Sequence, residues 1–149
     1  MAKASQARKI KSESAVSGVW SETVERHGAL RNAKFSDGRF HLALESIERL
    51  KERGFTNDEV HRIVAPRRTL ARRKVLQQEL TASESDRVLR LERISTMADR
   101  VFADHDKAQR WLRKRSRVLN QIPIELLQSE TGATLVEEEL HRIDYGIFS

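Results

Sequence analysis

Cysteine is absent from this chain, so it forms no disulfide and carries no thiolate nucleophile, a usage that suits a reducing cytoplasm. No apolar run approaches the ~18 residues that a membrane-spanning helix needs. The first residues lack the apolar stretch of a secretory signal. No segment sustains the period-two alternation of a half-buried strand, and only two prolines interrupt the 149 residues. Aromatics make up 5% of the chain, too few for one large core. Small helical layers, or a core shared with a partner, fit better. Catalytic signatures are missing as well. There is no Gly-rich phosphate loop and no G-x-S-x-G elbow. His27, His41, His61, His105 and His141 are scattered, with no pair at HExxH spacing. The expectation is a protein that is not an enzyme, with no cofactor, no metal, no small-molecule substrate and no membrane partner.

What is abundant points one way. Leu, Arg, Glu and Ala favour helix, so the predicted fold class is all-α. The formal net charge is +6. An excess of Lys and Arg suggests an anionic partner, most simply nucleic acid; the plain alternative is a solvated basic surface.

Residues 1–37 read as a basic N-terminal extension, with a short helix near Val16–Val24 around Trp20. An inert tail and a DNA-tracking arm explain it equally well. Ser36-Asp37-Gly38 is read as a turn that starts a helix, since Phe40, Leu44 and Ile47 follow at i, i+4, i+7. Gly54 ends that helix as its C′ residue. Thr56-Asn57-Asp58-Glu59 is a T-x-x-E capping box and opens a short helix with Val60, Ile63 and Val64 inward. Ala65-Pro66 stops it, because the residue before proline avoids the α region. A third helix is predicted from about Arg67 to Gln77 with Leu70 inward. A second capping box, Thr81 with Glu84, starts a long helix whose apolar stripe is Val88, Leu91, Ile94, Ala98, Val101 and Phe102. The long helix and the first helix both have more apolar positions than a three-helix core needs, so one of the two is expected to make a homodimer contact, through Val88 and Leu91 if it is the long one. Asp104-His105-Asp106 reads as a polar interhelix loop, with a metal site the weaker alternative.

Two short helices joined by a tight turn between Thr56 and Gln77 form a helix-turn-helix pattern. From Arg62 to Lys74 there are six cations and no acid. In such a unit the second helix enters the major groove N-terminus first. Arg67, Arg68 and Thr69 then sit near bases or the nearest phosphates. Arg72, Arg73 and Lys74 follow one turn on and track the backbone, with Arg62 on the first helix. The competing reading is a solvated basic face, since any helical hairpin can show this spacing.

The C-terminal stretch separates its charge. Lys107, Arg110, Arg113, Lys114, Arg115 and Arg117 are basic, whereas Glu125, Glu130, Glu137, Glu138, Glu139 and Asp144 make the end acidic. Either the two segments pair with each other, at roughly 0–1 kcal/mol per exposed pair, or the acidic end faces a cationic partner. The sequence closes on Tyr145-Gly146-Ile147-Phe148-Ser149, apolar where chain ends are usually polar. Such an end folds back or enters something else, and the Ser149 carboxylate then suits a cationic pocket.

The same stretch resembles the toxin-binding domain of the Xre/MbcA/ParS antitoxins. The resemblance rests on Ala108, Trp111, Leu112, Pro123, Leu126, Leu127, Thr131, Gly132, Val136, Leu140, Arg142, Ile143, Tyr145 and Gly146, and extends upstream to about Thr69. It departs from the family at Asn120-Gln121, where a Gly-Gly pair is common, which bears on the shape of that turn. The resemblance implies a helix-turn-helix (Xre-like) domain at 38–103, also serving dimerisation, and a small helical toxin-binding domain at 104–149. It implies an antitoxin that binds operator DNA as an autoregulating repressor. The implied partner is a RES-like toxin that consumes NAD⁺, with its cleft covered by the C-terminal segment. The toxin-facing residues are then Trp111, Arg142, Tyr145, Gly146, Ile147, Phe148 and Ser149. The alternative is a helix-turn-helix regulator without a toxin partner, which needs an effector pocket that so small a module hardly offers.

Overall fold

The computed structural model describes Leu30 and residues 32–146. The reading of a helix around Trp20, and the toxin-facing assignments of Ile147, Phe148 and Ser149, fall outside the described residues. Contacts divide the chain after Ala33, and the second unit is the one described below.

The unit opens on a short antiparallel hairpin, β1 (Lys34–Ser36) and β2 (Arg39–His41), with Phe35 opposite Phe40. Here the expected helix start is wrong. Asp37 and Gly38 both have positive φ, 52° and 72°, the geometry of a two-residue hairpin turn whose backbone twist matches the strands. Phe40 lies on β2 and is 40% exposed, so it is not the first inward residue of a helix. The fold is otherwise helical. Helix α1 (Glu45–Glu52) closes on Gly54, whose φ of 98° lets the Gly54 and Phe55 amides return to the Lys51 and Leu50 carbonyls.

Helix α2 (Asn57–Ile63) starts at Thr56, and α4 (Ala82–Phe102) starts at Thr81. Both N-termini are reciprocal capping boxes. The Thr hydroxyl accepts the amide three residues on at 3.2 Å, and the Glu at that position accepts the Thr amide at 2.8 Å. Each satisfies two of the amides that a helix start leaves without partners. Helix α3 (Arg67–Val75) follows α2 across Val64-Ala65-Pro66 and ends two residues earlier than expected, as Gln77 turns to a φ of 51°.

Helix α4 is the spine. It packs against β2, α1, α5 (His105–Arg113) and α7 (Glu130–Asp144). Val88, Leu91, Ile94 and Ala98 have no exposed surface. Burial of Val88, Leu91 and Ile94 stabilises the fold by roughly 1.5–3 kcal/mol each relative to exposure, and the smaller Ala98 by less. Val88 and Leu91 are thereby corrected. They fill the chain's own core and leave nothing for a second copy to touch.

Helix α6 (Pro123–Leu126) carries proline in its first turn, where the missing amide costs no hydrogen bond. Gly132 in α7 is fixed by its neighbour, because a Cβ there would stand 2.0 Å from the Leu126 carbonyl oxygen. The Asn120 turn forms without glycine. Asn120 holds a φ of 52° and accepts a bond from Arg115 Nη2 at 2.8 Å, as asparagine tolerates the left-handed region better than most residues.

Candidate nucleic-acid and protein interfaces

Helices α2 and α3 place the predicted cations on the outside. Leu70 is the buried residue of α3, and Val60, Ile63 and Val64 anchor α2 beneath it. Arg62, Arg67, Arg68, Arg72 and Lys74 are exposed, and Thr69 is half-buried. None of Arg67, Arg68, Arg72 and Lys74 meets a carboxylate among the described residues. This leaves a row of free cations on one short helix. Arg62 lies 4.0 Å from Glu125.

Arg73 departs from the expected role. Its guanidinium meets Glu84 at two points, Nε at 2.9 Å from Oε2 and Nη2 at 3.0 Å from Oε1. Glu84 is the same residue that caps α4. Arg73 therefore ties the end of α3 to the start of the spine, and is only 19% exposed.

The acidic end of the chain pairs in a way that neither sequence reading anticipated. It meets neither the 107–117 basic stretch nor open solvent alone. Glu130 accepts bonds from Arg90 and Arg93 of α4 at 2.9 and 2.7 Å, and Arg93 also meets Glu137. Asp144 lies 3.9 Å from Arg100. The α4 arginines hold the Glu130 carboxyl below its ordinary value, Arg93 foremost. Burial opposes the charge on Arg93, yet Glu130 and Glu137 raise its pKa on balance. Arg90 adds a bond to the Leu127 carbonyl at 3.2 Å, so it also closes the turn before α7.

Trp111 is half-buried against Phe102, ring centroids 5.7 Å apart. On α7, Val136 and Leu140 are buried. The outer face carries Leu135 and Arg142 and ends on Tyr145, which is 75% exposed and stacks loosely on His141. Gly146 follows with a φ of 67° and open space where a Cβ would stand. Asp104 is explained without a metal: its side chain caps α5 by accepting the Lys107 amide at 2.9 Å. That bond pulls its carboxyl below the ordinary range. His105 bonds Asp99 at 2.9 Å. Among the described residues no three potential ligands gather as a metal site would need. No described helix is long and apolar enough to cross a membrane.

The residues that sequence reasoning missed are the ones that join these parts. Arg113 bonds both Glu59 oxygens, and Arg90 and Arg93 hold α7. A one-dimensional pattern shows them only as members of charge runs.

Comparison with known proteins finds two families along the chain. Residues 97–146 match the family described as the antitoxin Xre/MbcA/ParS C-terminal toxin-binding domain. Residues 41–93 match the antitoxin Xre-like helix-turn-helix domain. An antitoxin Xre of Pseudomonas putida is 36% identical over 116 residues, which cover 77% of this chain and 71% of that protein. An antitoxin Xre of Yersinia enterocolitica is 35% identical over 86 residues, covering 56% and 58% respectively.

Proposed function

The chain belongs to the Xre antitoxin family, and from that premise we propose that it neutralises a RES-like, NAD⁺-consuming toxin and represses its own operator. The observation that carries the toxin half is Tyr145. It stands 75% exposed at the end of a helix whose other large apolar residues are mostly covered, and it leads through Gly146 into Ile147 and Phe148. Such a segment has apolar area to bury in a partner's cleft, with Trp111, Arg142 and Ser149 flanking the contact. The toxin's class and its use of NAD⁺ rest on the resemblance of the C-terminal domain.

The DNA half rests on the free cations of α3. Arg67, Arg68 and Thr69 lie at the helix start that faces base edges in this motif, and Arg62, Arg72 and Lys74 lie along the phosphate path. Arg73 supports the helix from behind. The bound form is a homodimer on a two-fold operator, with a contact made by exposed side chains rather than by Val88 and Leu91. The setting is the cytoplasm. A regulator without a toxin partner would need an enclosed effector site. Two grooves among the described residues are open, and the residues that line them are polar in type apart from Leu80.

Purifying the tagged chain with its co-produced partner tests the toxin half. A RES-like chain identified by mass spectrometry, whose NAD⁺ consumption appears only after the antitoxin is removed, is the expected result. A partner with no NAD⁺ consumption in either state would refute it.

A further inference from the structure

Most of the basic stretch after α4 is without an ion-pair partner among the described residues, although Lys107 and Arg110 lie close enough to Asp104 to help hold its carboxyl down. Lys107, Arg110, Lys114, Arg115 and Arg117 are exposed, and none forms an ion pair among the described residues. The exception in this stretch is Arg113, which reaches across to the helix-turn-helix. Its Nε and Nη2 each lie 2.8 Å from an oxygen of Glu59, and Nη2 donates to the Gly54 carbonyl at 2.8 Å. Glu59 belongs to the capping box of α2. The C-terminus of α5 is therefore bonded to the N-terminus of α2, and α2 is the helix that crosses the DNA backbone in this motif.

We propose that α5 of the toxin-binding domain is a second DNA contact, a phosphate clamp beside the helix-turn-helix formed by Lys107, Arg110 and Lys114. Lys107 and Arg110, three residues apart, lie on one side of α5, and Lys114 is the extended residue that ends it. Arg110, Arg113 and Lys114 line an open groove of about 760 Å³ together with Gln109 and Asp106. Asp106 is the single acid in that lining. The groove offers no apolar residue, whereas the centre of a protein–protein contact is usually apolar or aromatic and poor in charge. A strongly positive and open face is what a nucleic-acid backbone takes. The clamp is continuous with the α2–α3 surface through Arg113, which holds the two together and is not itself free to bind phosphate.

This inference rests on the reading of α2–α3 as a DNA-binding unit, and the test separates the two. The full chain is titrated with a mixed-sequence 40-bp duplex between ~50 and ~200 mM salt, where each phosphate contact adds about 0.9 to the slope of log affinity against log salt. Two variants are compared with the wild type, one with Arg67→Gln and Arg68→Gln, the other with Lys107→Gln, Arg110→Gln and Lys114→Gln. The second set removes exposed side chains without carboxylate partners, and a thermal melt confirms that it stays folded. The expected result is a shallower slope for both variants, by about 2 to 3 for the α5 variant. An α5 variant with the wild-type slope overturns the clamp while leaving α2–α3 standing. A wild type that does not bind DNA overturns both. Binding to poly-L-glutamate lost in the α5 variant, with the DNA slope unchanged, assigns the face to an acidic protein partner and also overturns the clamp.

Discussion

Arg113 and Glu59, far apart in sequence, form a two-point bond with both distances at 2.8 Å. Glu59 is 10% exposed and Arg113 32%, so the pair is shielded without being sealed from water. It joins the start of α2 to the end of α5. Replacing Arg113 by Met removes its two bonds to Glu59, one to the Gly54 carbonyl and two to Gln109, and leaves the Glu59 carboxylate partly desolvated. The expected loss is about 1.5–3 kcal/mol, read as a lower urea midpoint. Restoring part of that loss by adding Glu59→Gln to the same chain would show direct coupling. Simple additivity would show that the pair contributes nothing of its own.

The same carboxylate makes stability depend on pH. Burial pushes the Glu59 carboxyl up, but the bonds from Arg113 and the Thr56 amide outweigh it, and its pKa ends below the ordinary value. Glu130 is lowered as well, by Arg93 and Arg90. A folded pKa below the unfolded one means that the unfolded chain takes up protons first as pH falls. Stability from these groups is complete above the ordinary carboxyl pKa of about 4.3. It is then lost as pH drops through the lowered folded values. The urea midpoint is expected to be level from pH 7 to about 5 and to fall below that. The fall should be smaller in the Glu59→Gln variant.

Arg72 and Arg73 are neighbours with different work. Arg72 is exposed with no acid beside it, whereas Arg73 holds Glu84. Arg72→Ala should leave the melting temperature unchanged and lower the salt slope of DNA binding by about 0.9. Arg73→Ala should lower the melting temperature by about 2–4 °C for each kcal/mol lost. Equal melting temperatures for the two variants would contradict this division.

Gly132 reports on the junction of α6 and α7. Alanine would normally favour helix by up to about 1 kcal/mol over glycine. Here its Cβ would overlap a backbone oxygen at 2.0 Å, which no rotamer change can relieve. Gly132→Ala is expected to destabilise by about 3 kcal/mol or more, measured by urea unfolding, and to weaken toxin capture. An unchanged midpoint would mean that the α6–α7 turn is misplaced.

Local signals were legible in the sequence, and long-range pairings were not. Both T-x-x-E boxes became capping boxes, and Gly54 closes its helix, because each depends on residues within a few positions. The hairpin imitates a helix start in the sequence because Phe40, Leu44 and Ile47 fall by coincidence at helical spacing. The Asp37-Gly38 pair was the signal that would have corrected it. The apolar stripe of α4 is buried at Val88, Leu91, Ile94 and Ala98 and only half-buried at Val101 and Phe102, but a stripe cannot say whether Val88 and Leu91 face a core or a second chain. The bonds of Arg113 to Glu59 and of Arg90 to Glu130 join partners far apart in sequence. Only packing brings such charges together. Arg73 lay within reach of a local reading, because Glu84 is eleven residues on, yet two helices must first fold back on each other.

Whether the segment after Tyr145 blocks the proposed toxin is decided by one assay. NAD⁺ consumption by the RES-like toxin is measured with a fixed excess of the full chain, of Phe148→Ala and of the chain lacking Ile147–Ser149. A thermal melt and DNA titration of each antitoxin accompany the assay. Full inhibition is expected from the intact chain, and inhibition weakened by about 30-fold from Phe148→Ala if that anchor contributes ~2 kcal/mol. NAD⁺ consumption should return with the truncated chain, while its melting temperature and DNA binding stay nearly unchanged. Full inhibition by the truncated chain would show that the segment does not block the toxin.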